Sequence, residues 1–200
     1  MTTNPTRLQK QAAIKVILLP LLALFALANS SAPLNYVLDA SASSVSAKVP
    51  FFGLSSKTAK FPRMNGNVTI VPDQPQAALV DVAFDAASIE APDKVTLERL
   101  RGEKFFWVEK YPTVRFVGNQ LDMTSATKGK VQGQLTARGV TRDEVLSVKF
   151  DTAPQTAPAG EPVTLTGTMT IDRRKYGMKA YQVIVGNKVK INLRARMLPR

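Results

Sequence analysis

The chain has 200 residues, with 27 Lys and Arg against 15 Asp and Glu, a formal net charge of +12, and neither Cys nor His. Without imidazole or thiol it can form no Ser-His or Cys-His nucleophilic pair, no ordinary zinc, copper or haem ligand set, and no disulfide. A 44% apolar content over this length suits one packed domain, and any chemistry would fall to carboxylates, Lys, Tyr or Ser.

The first residues read as a targeting segment. Arg7, Lys10 and Lys15 form a basic start, Val16 to Ala28 is an almost wholly apolar run broken by Pro20, and Ala26-Leu27-Ala28 offers a small-x-small cleavage site. The run is shorter than the roughly 20 residues of a comfortable membrane span. A signal-peptide helix over residues 1–28 is therefore expected, ahead of a domain over residues 29–200; left uncleaved, the same segment would be a signal anchor. Without Cys, lipoprotein anchoring is excluded. Cleavage after Ala28 leaves 172 residues and, because three bases and no acid are lost, a net charge of +9. An exported fold without disulfides holds by packing alone.

From Val45 onward the apolar period is two. Val45, Ala47, Val49 and Phe51 alternate with polar neighbours, as do Val80, Val82 and Phe84. After Asp93–Lys110, the one segment with helical spacing (Val95, Leu97, Leu100, then Phe105, Phe106 and Val108), alternation resumes. It runs through Val131–Ala137, Leu146–Phe150 and Val163–Ile171, and is cleanest in Val189, Ile191, Leu193, Ala195 and Met197. Strict alternation gives each strand one apolar and one wet face, as antiparallel sheets do. Asn65-Gly66, Gly118-Asn119, Gly129 and Gly139 read as turns, Gly186-Asn187 as a tight two-residue hairpin, and Ala153–Pro162 as an exposed loop. The sum is about nine strands and one helical insertion.

That many one-sided strands must hide their apolar faces against one another, as a sandwich or as a closed barrel, and closure also removes sticky edges. Inward positions mix large residues (Phe51, Phe84, Phe116, Phe150) with small ones (Ala47, Gly133, Ala137, Gly167, Ala195). Periodicity does not separate a filled interior from a hollow one; packed interiors being commoner, pattern alone favours the filled core.

The stretch Leu100-Arg101-Gly102-Glu103-Lys104-Phe105-Phe106, followed by Tyr111-Pro112 and a strand carrying Phe116, resembles the signature of YceI-like proteins. Further elements follow in that family's order. Tyr36-Val37-Leu38-Asp39 and Ala86-Ala87-Ser88-Ile89 lie upstream, and Gly133 to Arg142, Ile171 to Met178 and Val185-Gly186-Asn187-Lys188-Val189 lie downstream. Two features depart from the family pattern: the His common near its first long strand is missing, and its Gly-x-Phe is here Ala59-Lys60-Phe61.

The resemblance implies an all-β, extended antiparallel lipocalin-like barrel in the bacterial periplasm or secreted. It implies a carrier holding an isoprenoid or similar amphiphilic lipid, with no catalysis and no cofactor or metal beyond a bound isoprenoid or quinone-like ligand. Burying about 20 carbons at roughly 0.8 kcal/mol each gains about 16 kcal/mol, against an association cost of about 4–15 kcal/mol. Phe51, Phe84, Phe105, Phe106, Phe116, Leu135 and Tyr176 are the candidates to line or gate such a cavity. Singly each reads as ordinary core; as a group they read as a pocket. Arg101, Arg173 and Arg174 are candidates for an anionic head group, or else structural ion pairs with Glu103 or Asp172.

The alternative is an exported structural or stress-related barrel with a filled core, acting at an anionic membrane surface. Lys188, Lys190, Arg194 and Arg196, on the outward face of the last strand, are a candidate patch for transient membrane contact or simply a charged, aggregation-proof exterior. Scattered bases and few stacking aromatics argue against nucleic acid. Ser125-Ala126-Thr127-Lys128 has the Ser-x-x-Lys form of some acyl-transfer enzymes but sits in a loop with no companion motif, and Asp143-Glu144 face opposite ways on a strand. No catalytic residue is expected, and the chain is expected to be a monomer or homodimer.

Overall fold

The computed structural model of the chain describes residues 32–71, 74–154 and 160–200; the leader lies outside these, as do residues 155–159 of the expected loop. The strands are β1 (Leu34–Leu38), β2 (Ser44–Phe51), β3 (Ser55–Lys60), β4 (Met64–Ile70), β5 (Leu79–Asp85), β6 (Thr113–Met123), β7 (Lys128–Ala137), β8 (Val140–Phe150), β9 (Val163–Asp172) and β10 (Lys188–Pro199), with one helix, α1 (Lys94–Arg101). Ten strands replace the expected nine or so.

All are hydrogen-bonded neighbours in a single antiparallel sheet ordered β1-β4-β5-β6-β7-β8-β9-β10, which closes because β10 also pairs with β1, at Leu38↔Met197 and Tyr36↔Pro199. The result is a closed eight-stranded barrel. Ahead of that closure, the same edge of β10 pairs with β2 from Lys190↔Lys48 to Arg194↔Ser44, and β3 adds outside β2. The wall is thus prolonged at one end by the β2–β3 hairpin.

The alternation in the sequence becomes burial in the sheet. In β9, Val163, Leu165, Gly167, Met169 and Ile171 are buried, while the intervening threonines face outward. In β6, Val114 and Phe116 are inward at even positions but Leu121 at an odd one, because the register shifts between Gly118 and Gln120. One extra residue there, a β-bulge, resets the parity.

Three local expectations are corrected. The two-residue hairpin is Arg138-Gly139, between paired Ala137 and Val140; both turn residues have positive φ (51° and 72°), as such turns require. Gly186-Asn187 instead ends a 15-residue excursion, residues 173–187, between Asp172 and its partner Lys188. Asn65-Gly66 and Gly118-Asn119 lie inside β4 and β6, and Gly129 inside β7. The helix stops at Arg101, where the Gly102 N–H closes onto Glu98 and Arg99 carbonyls, and residues 102–112 continue as turns.

Facing each other across β6 and β7, Gly118 and Gly133 make room for the Phe116 ring. A Cβ on Gly133 would run into the Val117 carbonyl oxygen, approach the Gly118 Cα to 2.7 Å and the Phe116 Cζ to 2.8 Å. Gly133→Ala is therefore expected to destabilise the barrel by about 1–3 kcal/mol. A lowered urea midpoint at unchanged slope checks this; an unchanged midpoint would show that β7 moves freely against β6.

Candidate functional site

The barrel encloses a cavity of about 470 Å³ whose wall is almost wholly apolar. The filled interior favoured by pattern alone is therefore not what this chain builds. Ala47, Ala137 and Ala195 line the cavity, supplying little bulk. The glycines draw bulk outward. The Phe116 ring occupies the space where Gly118 and Gly133 side chains would stand, and Leu193 lies 2.9 Å from the Cβ position of Gly167. Large side chains thus lie against the wall instead of meeting across the lumen.

The cavity has a closed and an open end. At the closed end Tyr36, Ile70, Ala78, Leu121 and Met197 are all buried, with the turn Pro75–Ala77 packed against β6. At the other end the lining residues Asp93, Val95, Arg99 and Tyr181 are exposed; Arg194, where β10 passes from β2 to β1, is a further exposed contributor. The mouth is framed by β3, α1 and the excursion 173–187.

Consecutive β3 and β4 do not pair with each other. Residues 86–112 cover the gap, tied to β3 by reciprocal Lys60–Glu90 backbone hydrogen bonds of 3.0 Å. Under this cover Phe61 packs edge-to-face on Phe84 and Phe106, with ring centres 6.2 and 5.7 Å apart.

Asp93 caps α1, accepting from the Thr96 N–H and hydroxyl at 2.8 Å, and also accepts from Lys57 Nζ on β3 at 2.7 Å. One carboxylate thereby starts the helix and ties it across the mouth. The Lys57 and Thr96 hydrogen bonds hold the Asp93 carboxyl down at about 2.

The opposite side of the mouth is organised by Arg173. This buried guanidinium donates to the carbonyls of Gly186 (2.9 Å), Met178 (2.6 Å), Ala180 (2.8 Å) and Val185 (2.8 Å), pinning the excursion from within, and its carbon lies 5.9 Å from the Phe105 ring centre. Burial pulls its pKa below the usual arginine value. Arg138 adds a second tie, donating to Gly177 at 2.6 Å and Glu103 at 2.9 Å.

Seven candidates meet around the cavity: Phe51, Phe84, Phe105, Phe106, Phe116, Leu135 and Arg173. Tyr176 and Arg101 are not part of its wall. Tyr176 is fully buried, donating its hydroxyl to Glu144 at 2.9 Å, and burial first, then that carboxylate, raises its pKa strongly. Arg101 donates to the Ala87 carbonyl at 2.8 Å, and Arg174 is engaged by Asp172 at 2.7 Å. The three head-group arginines are thus occupied within the fold. Lys57 and Arg194 are paired with Asp93 and Asp151, whereas Arg99 lies at the mouth 5.2 Å from the Tyr181 ring centre, with Lys104 at 5.5 Å from the same ring.

Ser125 Oγ accepts from the Lys128 backbone N–H at 3.1 Å, so the Ser-x-x-Lys run is a capped turn. Among the described residues no three carboxylates cluster as metal ligands, and no helix is long and apolar enough to cross a membrane. On β10, Lys188, Arg194 and Arg196 engage Asp172, Asp151 and Asp39 at 3.3–4.0 Å.

The YceI-like domain model matches residues 36–197, and the chain belongs to that family. A UPF0312 protein of Pseudomonas putida (strain GB-1) is 26% identical over 132 residues, 66% of this chain and 69% of the relative. Among solved structures, BcnA of Burkholderia cenocepacia superposes with a TM-score of 0.71 at 22% identity, covering 80% of this chain and 98% of its own. A polyisoprenoid binding domain from Saccharophagus degradans gives 0.64 at 16% identity, covering 84% and 99%. These likenesses establish the same fold.

Two outcomes test the mouth. Arg173→Leu leaves four carbonyls without their donor and is expected to cost about 3 kcal/mol or more, with Arg173→Lys restoring little because an ammonium lacks the planar fork. Chemical denaturation of both variants checks this, and wild-type stability in Arg173→Leu would free the arginine for a ligand role. Asp93 has a folded pKa of about 2 against an ordinary 3.8, so its stabilising contribution is present above 3.8 and lost as pH falls through 2. The melting-temperature advantage of wild type over Asp93→Asn should hold from neutral pH to about 4 and vanish near 2; an advantage vanishing above pH 5 would contradict this.

Proposed function

We propose that this chain is a non-catalytic carrier that holds the apolar tail of an isoprenoid or quinone-like lipid inside its barrel, with the polar head at the mouth near Arg99. The observation that carries this is the enclosed apolar cavity of about 470 Å³, open at one end. Its volume falls within the roughly 300–1,000 Å³ of ligand sites. From Leu165 on β9 to Arg173, the residue just past its end, the lining spans eight steps. At about 3.3 Å per residue and a barrel tilt near 40°, the cavity is roughly 20 Å deep. A narrow tube of that depth suits an extended chain better than a compact ring system.

The solved relative from Saccharophagus degradans, described as a polyisoprenoid binding domain, supports the same ligand class. The basic start and apolar run of residues 7–28 support export to the periplasm or beyond, where a lipid needs a chaperoned route through water. The filled-core alternative lacks support, since its premise is a packed interior.

Ala195→Phe places a ring in the lumen with little effect on the wall. It is expected to weaken uptake of a long-chain prenyl lipid at least tenfold while leaving the fold intact. Native mass spectrometry of the exported protein should show a lipid adduct in wild type and little in the variant. Apo protein alone after mild purification, with no thermal shift from prenyl lipids, would defeat the carrier reading.

A further inference from the structure

The mouth carries apolar side chains that the fold leaves exposed. Leu54 and Val183 are each 98% exposed, Phe52 is 61% and Val95 55%. They belong to three different segments brought to one end. The Phe52 N–H donates to the Ile184 carbonyl at 2.8 Å, and Phe51 bridges Val185, so the β2–β3 tip and the excursion turn form one rim. Val95 stands across the mouth on α1 and itself lines the cavity. Large apolar residues this exposed, set together around an opening, mark an interaction surface.

Charge indicates what that surface meets. Between them β3, α1, the turn after it and the excursion bring Lys57, Lys94, Arg99, Arg101, Lys104 and Lys179 to this end, against Asp93, Glu98 and Glu103. Asp93 and Glu98 are already engaged by Lys57 and Lys94. Arg99 and Lys104 instead lie on the Tyr181 ring, and Lys179, two residues before Tyr181 in the excursion, is exposed, all three without a carboxylate partner among the described residues. The β10 stripe, by contrast, has three of its four bases in ion pairs. Exposed apolar tips at the same end as bases without a carboxylate partner are the composition of a shallow interfacial anchor.

We propose that the mouth rim docks on the surface of an anionic lipid bilayer, with Leu54, Phe52 and Val183 entering the interface and Arg99, Lys104 and Lys179 meeting lipid phosphates. Docked this way, the cavity opens directly onto the leaflet, and an apolar tail passes between them without crossing water. The purpose of the docking rests on the carrier reading; its geometry does not. Each base near such a surface strengthens binding about fivefold, and salt screens the effect.

The test is co-flotation of the exported protein with phosphatidylcholine vesicles, with and without equimolar phosphatidylglycerol. Wild type should float with the anionic vesicles and be released by molar salt. Leu54→Ser/Val183→Ser should lower the partition at least tenfold, and Arg99→Glu/Lys104→Glu should abolish the anionic preference. Uptake of the dissolved fluorophore N-phenyl-1-naphthylamine should be unchanged in the Leu54→Ser/Val183→Ser protein, which reads the cavity separately from the rim. If wild type ignores anionic lipid, or the Ser variant floats as wild type does, the docking proposal fails while fluorophore uptake still stands for the carrier. If ultracentrifugation shows a dimer that the Ser substitutions dissociate, the rim belongs to a second copy of the chain and the bilayer proposal is overturned.

Discussion

Everything in this molecule depends on the double pairing of β10. One edge is taken along its length by β9, while the other is shared by β2 and β1 in succession. The share given to β1 closes the ring and removes the open edges that a disulfide-free sheet would otherwise expose. The share given to β2 builds the wall higher on one side only. A single strand therefore decides both that there is an interior and that one end differs from the other.

Closure alone does not make a void, since eight strands enclose a space that side chains can fill. The emptiness comes from where bulk is placed. Facing glycines in β6 and β7 let the Phe116 ring lie along the wall, Gly167 does the same for Leu193, and five alanines line the lumen. Leaving about 470 Å³ unfilled forgoes the dispersion contacts of a packed core. An occupant that restored those contacts would stabilise the protein as it is held.

Much of this was legible in the sequence. Period-two alternation marked β2, β5, β7, β8, β9 and β10, because inward and outward faces meet such different surroundings. It failed for β3 and β4, where Ser, Thr, Lys, Asn and Gly dilute the contrast, and at the end of α1, where Phe105 and Val108 mimic helical spacing though Gly102 has already turned the chain. Gly186-Asn187 had the composition of a tight turn, but the β9 ladder ends 15 residues earlier, and only tertiary ties from Arg173 and Phe51 show where the chain goes between. The aromatic wall was found because inward parity is local. The partners of Arg173, Arg101 and Tyr176 are set by segments 5 to 32 residues away, so their roles were not readable from spacing. Nothing in the polar run of β3 marks the Phe61 that follows it as buried, since its aromatic partners Phe84 and Phe106 lie on distant segments.

The two ends of the barrel are held by different kinds of interaction, and this difference has consequences for motion. The closed end is interlocked apolar packing among buried residues, which yields only as part of global unfolding. The mouth is held by one exposed carboxylate between Lys57 and Thr96, by cations on the Tyr181 ring, and by hydrogen bonds from Arg173 to a segment with little regular structure. The exposed ties at Asp93 and Tyr181 exchange readily with water or with lipid phosphates at small net cost each, while the buried Arg173 fork is costly to break. Of the segments that frame the opening, α1 is thus the one able to part from the barrel at least expense. α1 can loosen from the mouth while the Arg173-pinned excursion and the eight-stranded wall stay in place.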